Sequence, residues 1–123
     1  MKSINEWKER LRSDLRDAMR ARRAEVVAVL RETLSALDQA EAAELSSAPV
    51  AQAGPIAGAV AGLGAGDVAR KALGPVEARA VVERERDERR AAAAAYQALG
   101  RVEQARTLTT KLEVLQALLD GPA

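Results

Sequence analysis

The 123-residue sequence contains no cysteine, no histidine and no phenylalanine, and aromatic residues make up 2% of it, namely Trp7 and Tyr96. Without cysteine there is no disulfide framework, and without cysteine or histidine there is no zinc site of the usual donors. A Cys- or His-based nucleophile–base pair is excluded in the same way. Charge of one sign is also missing: 19 Lys and Arg face 18 Asp and Glu, for a formal net charge of +1. Overall charge therefore indicates neither a nucleic-acid nor a membrane partner, and only its distribution can. The first residues, Met1 to Glu6, hold no apolar run of the kind a signal peptide needs. The longest low-charge stretch, Leu45 to Gly66, is rich in Ala and Gly and interrupted by Pro49 and Pro55. It falls short of the roughly 20 apolar residues of a spanning helix. The expectation is a cytoplasmic protein with no membrane association and no cofactor.

What is present is alanine, roughly a quarter of the chain against an ordinary usage well below that. Alanine buries little area, so the core is thin and helix propensity carries much of the specification. Ser3-Ile4-Asn5-Glu6 has the S-x-x-E form of a capping box and places a helix start at Ile4. Ile4, Trp7, Leu11, Leu15, Ala18 and Met19 then recur at three- and four-residue steps. Trp7, on this apolar face, reads as a core anchor rather than a stacking platform. Ala21-Arg22-Arg23-Ala24 contains no Gly, Pro or good cap, so either a turn lies near Arg22-Arg23 or the helix runs on. Helical spacing resumes through Val26, Leu30, Leu34 and Leu37 to about Leu45. Ser46-Ser47-Ala48-Pro49 ends it. Residues 46–66 read as an Ala/Gly/Pro linker, and Asp67 as the cap of a short helix over 68–73.

Gly74-Pro75 opens a helix to about Leu99, with Pro75 suited to its first position. Gly100 is its C-terminal cap or a bend. A last helix presents Val102, Ala105, Leu108, Leu112, Leu115 and Leu119 on one face, and Gly121-Pro122 stops it. No strand-like alternation is visible. The fold class is all-α, a single small bundle over 1–123 built from two antiparallel helical hairpins, 1–45 and 67–123. Gly62-Leu63-Gly64-Ala65-Gly66 lacks the third glycine, the preceding strand and the following Lys of a phosphate loop, and reads as an interhelical loop. The run Glu83 to Arg90 holds four acids and four bases and reads as a solvated helix face.

Charge is segregated along the first two helices. Residues 1–23 carry eight bases and four acids, and residues 24–48 carry one base, Arg31, and five acids. Lys8, Arg12, Arg16 and Arg20 are spaced four apart, and Arg22 and Arg23 extend the stripe. These six are the candidate RNA-contact residues, since clustered bases on one face are the electrostatic footprint of a phosphate partner. The competing reading lays the basic first helix against the acidic second one, or leaves it solvated. No catalytic residue stands out: no Ser or Lys has an activating partner in sequence, and no carboxylate cluster free of Arg suggests a metal.

Several segments resemble one family. Trp7 to Arg22 (WKERLRSDLRDAMRAR) is similar to the "L-x-x-D-L-x-x-A-M-K-A-R" opening helix of GatB/YqeY-domain proteins. Val29 to Leu37 (VLRETLSAL) resembles the following "L-R-x-x-L-S-A-I" helix, and Glu88-Arg89-Arg90 followed by Ala94, Tyr96, Gly100-Arg101 and Glu113-Val114-Leu115 resembles a later stretch. The chain looks like a short form without the C-terminal tail bundle. The resemblance implies a non-catalytic helical accessory protein associated with tRNA-dependent amidotransferase and translation, with tRNA or a tRNA-modifying complex as partner. The family label carries the name of a carbon–nitrogen ligase using glutamine as amide donor, but implies no catalytic residue here. The alternative is a helical protein-interaction or self-associating module, a homo-oligomer completed by its Leu-rich last helix.

Overall fold

A computed structural model describes residues 1–46 and 73–121, and among these the chain is entirely helical apart from its turns. The linker expected over 46–66, the glycine-rich loop and the short helix expected from Asp67 lie outside the described residues, apart from the ends at Ser46 and Leu73. Four helices follow one another: α1 (Ile4–Arg20), α2 (Ala24–Ser46), α3 (Pro75–Ala98) and α4 (Val102–Asp120). They form two antiparallel hairpins, α1–α2 and α3–α4, as the hydrophobic spacing predicts. The second helix packs against both members of the other hairpin, and α1 touches α3. No described helix is long and apolar enough to cross a membrane.

Local chemistry accounts for the helix ends. At the start of α1, Ser3 Oγ accepts from the Glu6 amide at 3.1 Å and the Glu6 carboxylate accepts from the Ser3 amide at 2.9 Å, a complete capping box. The hydrogen bond from the Ser3 amide, with the nearby Ser3 hydroxyl, holds the Glu6 carboxyl below the usual glutamate range. Pro75 begins α3 behind Gly74.

The chain breaks at Arg22 rather than running on, and it does so with the same backbone device at both hairpin turns. The Arg23 amide donates to Ala18 O at 3.0 Å and the Arg22 amide to Met19 O at 3.2 Å. In the second hairpin the Arg101 amide donates to Tyr96 O at 2.9 Å and the Gly100 amide to Gln97 O at 3.0 Å. Each is a Schellman pair, which requires a left-handed residue just past the helix. Gly100 meets that requirement at φ 74° without a side-chain penalty, whereas Arg22 takes it at φ 56°.

One apolar core joins the hairpins. Ile4, Trp7 and Leu11 of α1, Val29, Leu30 and Leu37 of α2, Val81 and Val82 of α3, and Leu115, Leu118 and Leu119 of α4 are all buried in it. Trp7 is the core anchor its position on the apolar face predicts, with its indole Nε1 buried and unpartnered. Thr33 is buried among these side chains because its hydroxyl donates to Val29 O at 2.7 Å, one turn back.

The Glu83–Arg90 run corrects the sequence reading. It is not simply a solvated face. Glu85 and Arg89 are mostly buried and pair with each other at 3.0 Å. Arg89 also reaches Glu32 of α2 at 2.8 Å, where Lys111 of α4 meets the same carboxylate at 3.3 Å. Glu32 therefore ties the two hairpins together. Burial would raise its pKa, but the Arg89 and Lys111 hydrogen bonds and charges outweigh that and hold it below the usual glutamate range.

Candidate nucleic-acid interface

The six basic residues singled out in sequence lie on or just beyond α1, yet the fold divides them. Lys8 is drawn inward. At 8% exposure its ammonium sits 2.7 Å from both Asp38 and Glu41, near the far end of α2. Burial alone would lower its pKa, but the hydrogen bonds and charges of the two carboxylates hold it above the usual lysine value. Lys8 is thus committed to the hairpin. Arg20 pairs with Asp17 across one turn. Arg12, Arg16, Arg22 and Arg23 are exposed and have no ion-pair partner among the described residues.

So the basic α1 meets the acidic α2 at one end only. Two of the α2 carboxylates, Asp38 and Glu41, take Lys8, and a third, Glu32, turns to the other hairpin. Glu25 and Asp17 also stand at the closed end of the first hairpin, but neither forms an ion pair with Arg16, Arg22 or Arg23. Arg12 and Arg16 stand seven and three residues before Met19, on the same face of α1. One helical turn separates them, about 6 Å along the axis.

Arg31 joins this group, and the sequence reading missed it. Counted as the one base of an acidic helix, it lies across the hairpin with its guanidinium Nη2 at 3.9 Å from Met19 Sδ. The signal that would have found it is hairpin register. Once a turn is placed at Arg22, Arg31 is one of the α2 residues that come level with Met19. Arg22 and Arg31 flank an open depression of about 530 Å³ between the helices, floored by Met19, Ala24, Val27 and Ala28. No carboxylate lines it.

Arg23 is not part of that group. It borders a different groove of about 390 Å³, where Ala18 and Val26 face Val114 and Leu118 of α4, with Asp14 and Asp17 at its edge. The remaining described arginines contrast with the closed end. Arg10 of α1 and Arg79, Arg84, Arg86, Arg89, Arg90 and Arg106 all have carboxylate partners, and Arg101 has none among the described residues.

Among the described residues there is no group of three or more Asp, Glu, Cys or His that could hold a metal ion. The chemistry this surface offers is that of a fixed, multivalent cation beside an apolar hollow. Such a surface is suited to anions, and its lining presents no nucleophile or proton-transfer pair. No family model, curated protein or solved structure matches the chain.

Proposed function

We propose that the protein is a non-catalytic helical accessory module that binds RNA through the closed end of its first hairpin. The observation that carries this reading is a set of exposed arginines without carboxylate partners among the described residues: Arg22 and Arg31 line one depression, and Arg12 and Arg16 lie on the face of α1 that carries Met19. Counterion release from phosphates is the term such a surface supplies, and it needs no net charge on the whole molecule. The GatB/YqeY resemblance supports tRNA, or a complex that handles it in amidation or translation, as the RNA in question. A cytoplasmic location accords with that partner.

The direct test is a polarisation titration with bulk tRNA over a series of salt concentrations. Four phosphate contacts give a slope of log affinity against log salt of about −3 to −4. Absence of binding at low salt would remove the RNA reading.

One observation favours the alternative, a protein-interaction or self-associating module. Leu99 is 71% exposed and Val102 half exposed at the closed end of the second hairpin. Light scattering over a range of protein concentrations separates the two, since self-association through Leu99 gives a mass that rises with concentration and falls back in Leu99→Glu.

A further inference from the structure

Phosphate binding explains the arginines but not the hollow between them. A surface that only tracks a phosphate backbone needs charge, and gains nothing from an apolar floor. Here Met19 is 49% exposed and lines an open depression of about 530 Å³. Its floor is Met19, Ala24, Val27 and Ala28, and its rim is Arg22 and Arg31. The occupant that matches an apolar floor with cations at both edges is a flat apolar group attached to anions.

We infer that this depression receives an unpaired nucleotide of the bound RNA, its base over Met19 and Val27 and its flanking phosphates on Arg22 and Arg31. The inference rests on the RNA reading above and specifies its substrate class as RNA with unpaired bases. Charge complementarity decides the occupant, because the lining holds two guanidinium groups and no carboxylate, amide or hydroxyl side chain. Stacking on a planar guanidinium is an established way to hold a splayed base, and Arg31 lies against the Met19 thioether at 3.9 Å at the edge of that floor. The aromatic platforms that usually serve are not available. Trp7 is buried in the core and Tyr96 is half-buried on the other hairpin. With Arg22 and Arg31 engaged by phosphates and no other polar side chain in the lining, the base is held by its face, so binding is tolerant of sequence. Arg12 and Arg16, on the same face of α1, take the neighbouring phosphates.

The test compares two labelled RNAs of equal phosphate number, a fully paired stem and a stem closed by a loop of unpaired uridines. The looped RNA binds more tightly. Met19→Ala removes roughly fivefold of its affinity, leaves the paired stem unaffected, and leaves the salt slope unchanged because no charge is lost. Ala28→Leu, which fills part of the depression without adding an aromatic face, also lowers the looped RNA's affinity, and a circular-dichroism melt of both variants checks that they fold. Equal binding of the two RNAs, or a loop preference that survives Met19→Ala, overturns the inference while leaving RNA binding itself standing. Failure of both RNAs to bind overturns the RNA reading along with it. Displacement of the looped RNA by polyglutamate at equal charge overturns the nucleotide and assigns the hollow to an acidic peptide.

Discussion

The two hairpins close on the same three-residue Schellman turn, and their closed ends differ in almost everything else. Ala21-Arg22-Arg23 ends α1 in a surface of exposed, unpaired arginines around Met19. Leu99-Gly100-Arg101 ends α3 in an apolar tip, where Leu99 and Val102 face solvent. Arg101, also at that tip, is exposed and has no ion-pair partner among the described residues, while the arginines further down α3 pair there with neighbouring acids. The difference follows from where the carboxylates fall. In α3 they alternate with the bases on one helix, so i,i+4 pairing neutralises them locally. In the first hairpin they are split between α1 and α2, and the register brings Asp38 and Glu41 to Lys8 but pairs no acid with Arg12, Arg16 or Arg22. Sequence charge that sums to +1 is thereby resolved into a neutral hairpin and a polar one with a cationic end.

The largest expected effect concerns what the hairpins share. Leu30 is fully buried in the joint core, and Leu30→Ala costs about 3 kcal/mol in urea denaturation. Leu99→Ala, at the exposed tip, changes stability by less than about 0.5 kcal/mol. Equal losses would mean that the second tip is packed and not free.

Next comes the clamp at the open end of the first hairpin. Lys8→Ala removes hydrogen bonds from a buried ammonium to two carboxylates and costs about 2 kcal/mol. Because the folded pKa of Lys8 is raised, its contribution is fully present below the ordinary lysine value and is lost as pH rises through the raised one. The wild type therefore loses stability on the alkaline side, and Lys8→Ala does so less. An alkaline limb identical in the two proteins counts against the clamp.

The shared turn allows a swap. Gly100→Ala forces a side chain into the left-handed region and destabilises by about 1 kcal/mol. An added Cβ there meets nothing within 4 Å, so the loss is conformational. Arg22→Gly relieves the same strain and raises stability by about 1 kcal/mol. That variant is expected to be more stable and, on the proposed reading, to bind RNA less well, since a proposed phosphate contact occupies a strained backbone position. Arg22 variants that lose stability and binding together would show that the turn depends on its side chain.

The smallest effect is the tie between the hairpins. The folded pKa of Glu32 is lowered, so its contribution is present above the ordinary glutamate value and is lost as pH falls through the folded one. The carboxylate is 43% exposed, which limits the gain to less than about 1 kcal/mol. Glu32→Gln should flatten the acid limb of the stability profile, and an unchanged limb would mean that the tie contributes nothing measurable.

Much of this architecture is legible in the sequence because the signals are local. The Ser3–Glu6 box, Pro75, Gly100 and the Leu spacing of α4 each act within one or two helical turns. The break at Arg22 is not, because a non-glycine residue in the left-handed region has no signature and is imposed by packing of Val26 and Leu30 onto α1 and the core. The site was half legible for a related reason. A stripe of bases on one helix shows which residues are basic, but which of them are neutralised depends on partners that register brings from another helix. That is why Lys8 is in the core, Arg23 faces another groove, and Arg31 belongs to a surface its own helix gives no hint of.

The central claim is that the cationic end of the first hairpin, and not the arginines of the second, meets the partner. It is tested most directly by a salt titration of tRNA binding in two charge-matched variants. One carries Arg12→Gln, Arg16→Gln and Arg31→Gln, and the other Arg84→Gln, Arg90→Gln and Arg106→Gln. The first should lose affinity and flatten the slope of log affinity against log salt by about 2 to 3, at about 0.7–0.9 per phosphate contact, while the second keeps the wild-type slope. Equal flattening in both would contradict the claim.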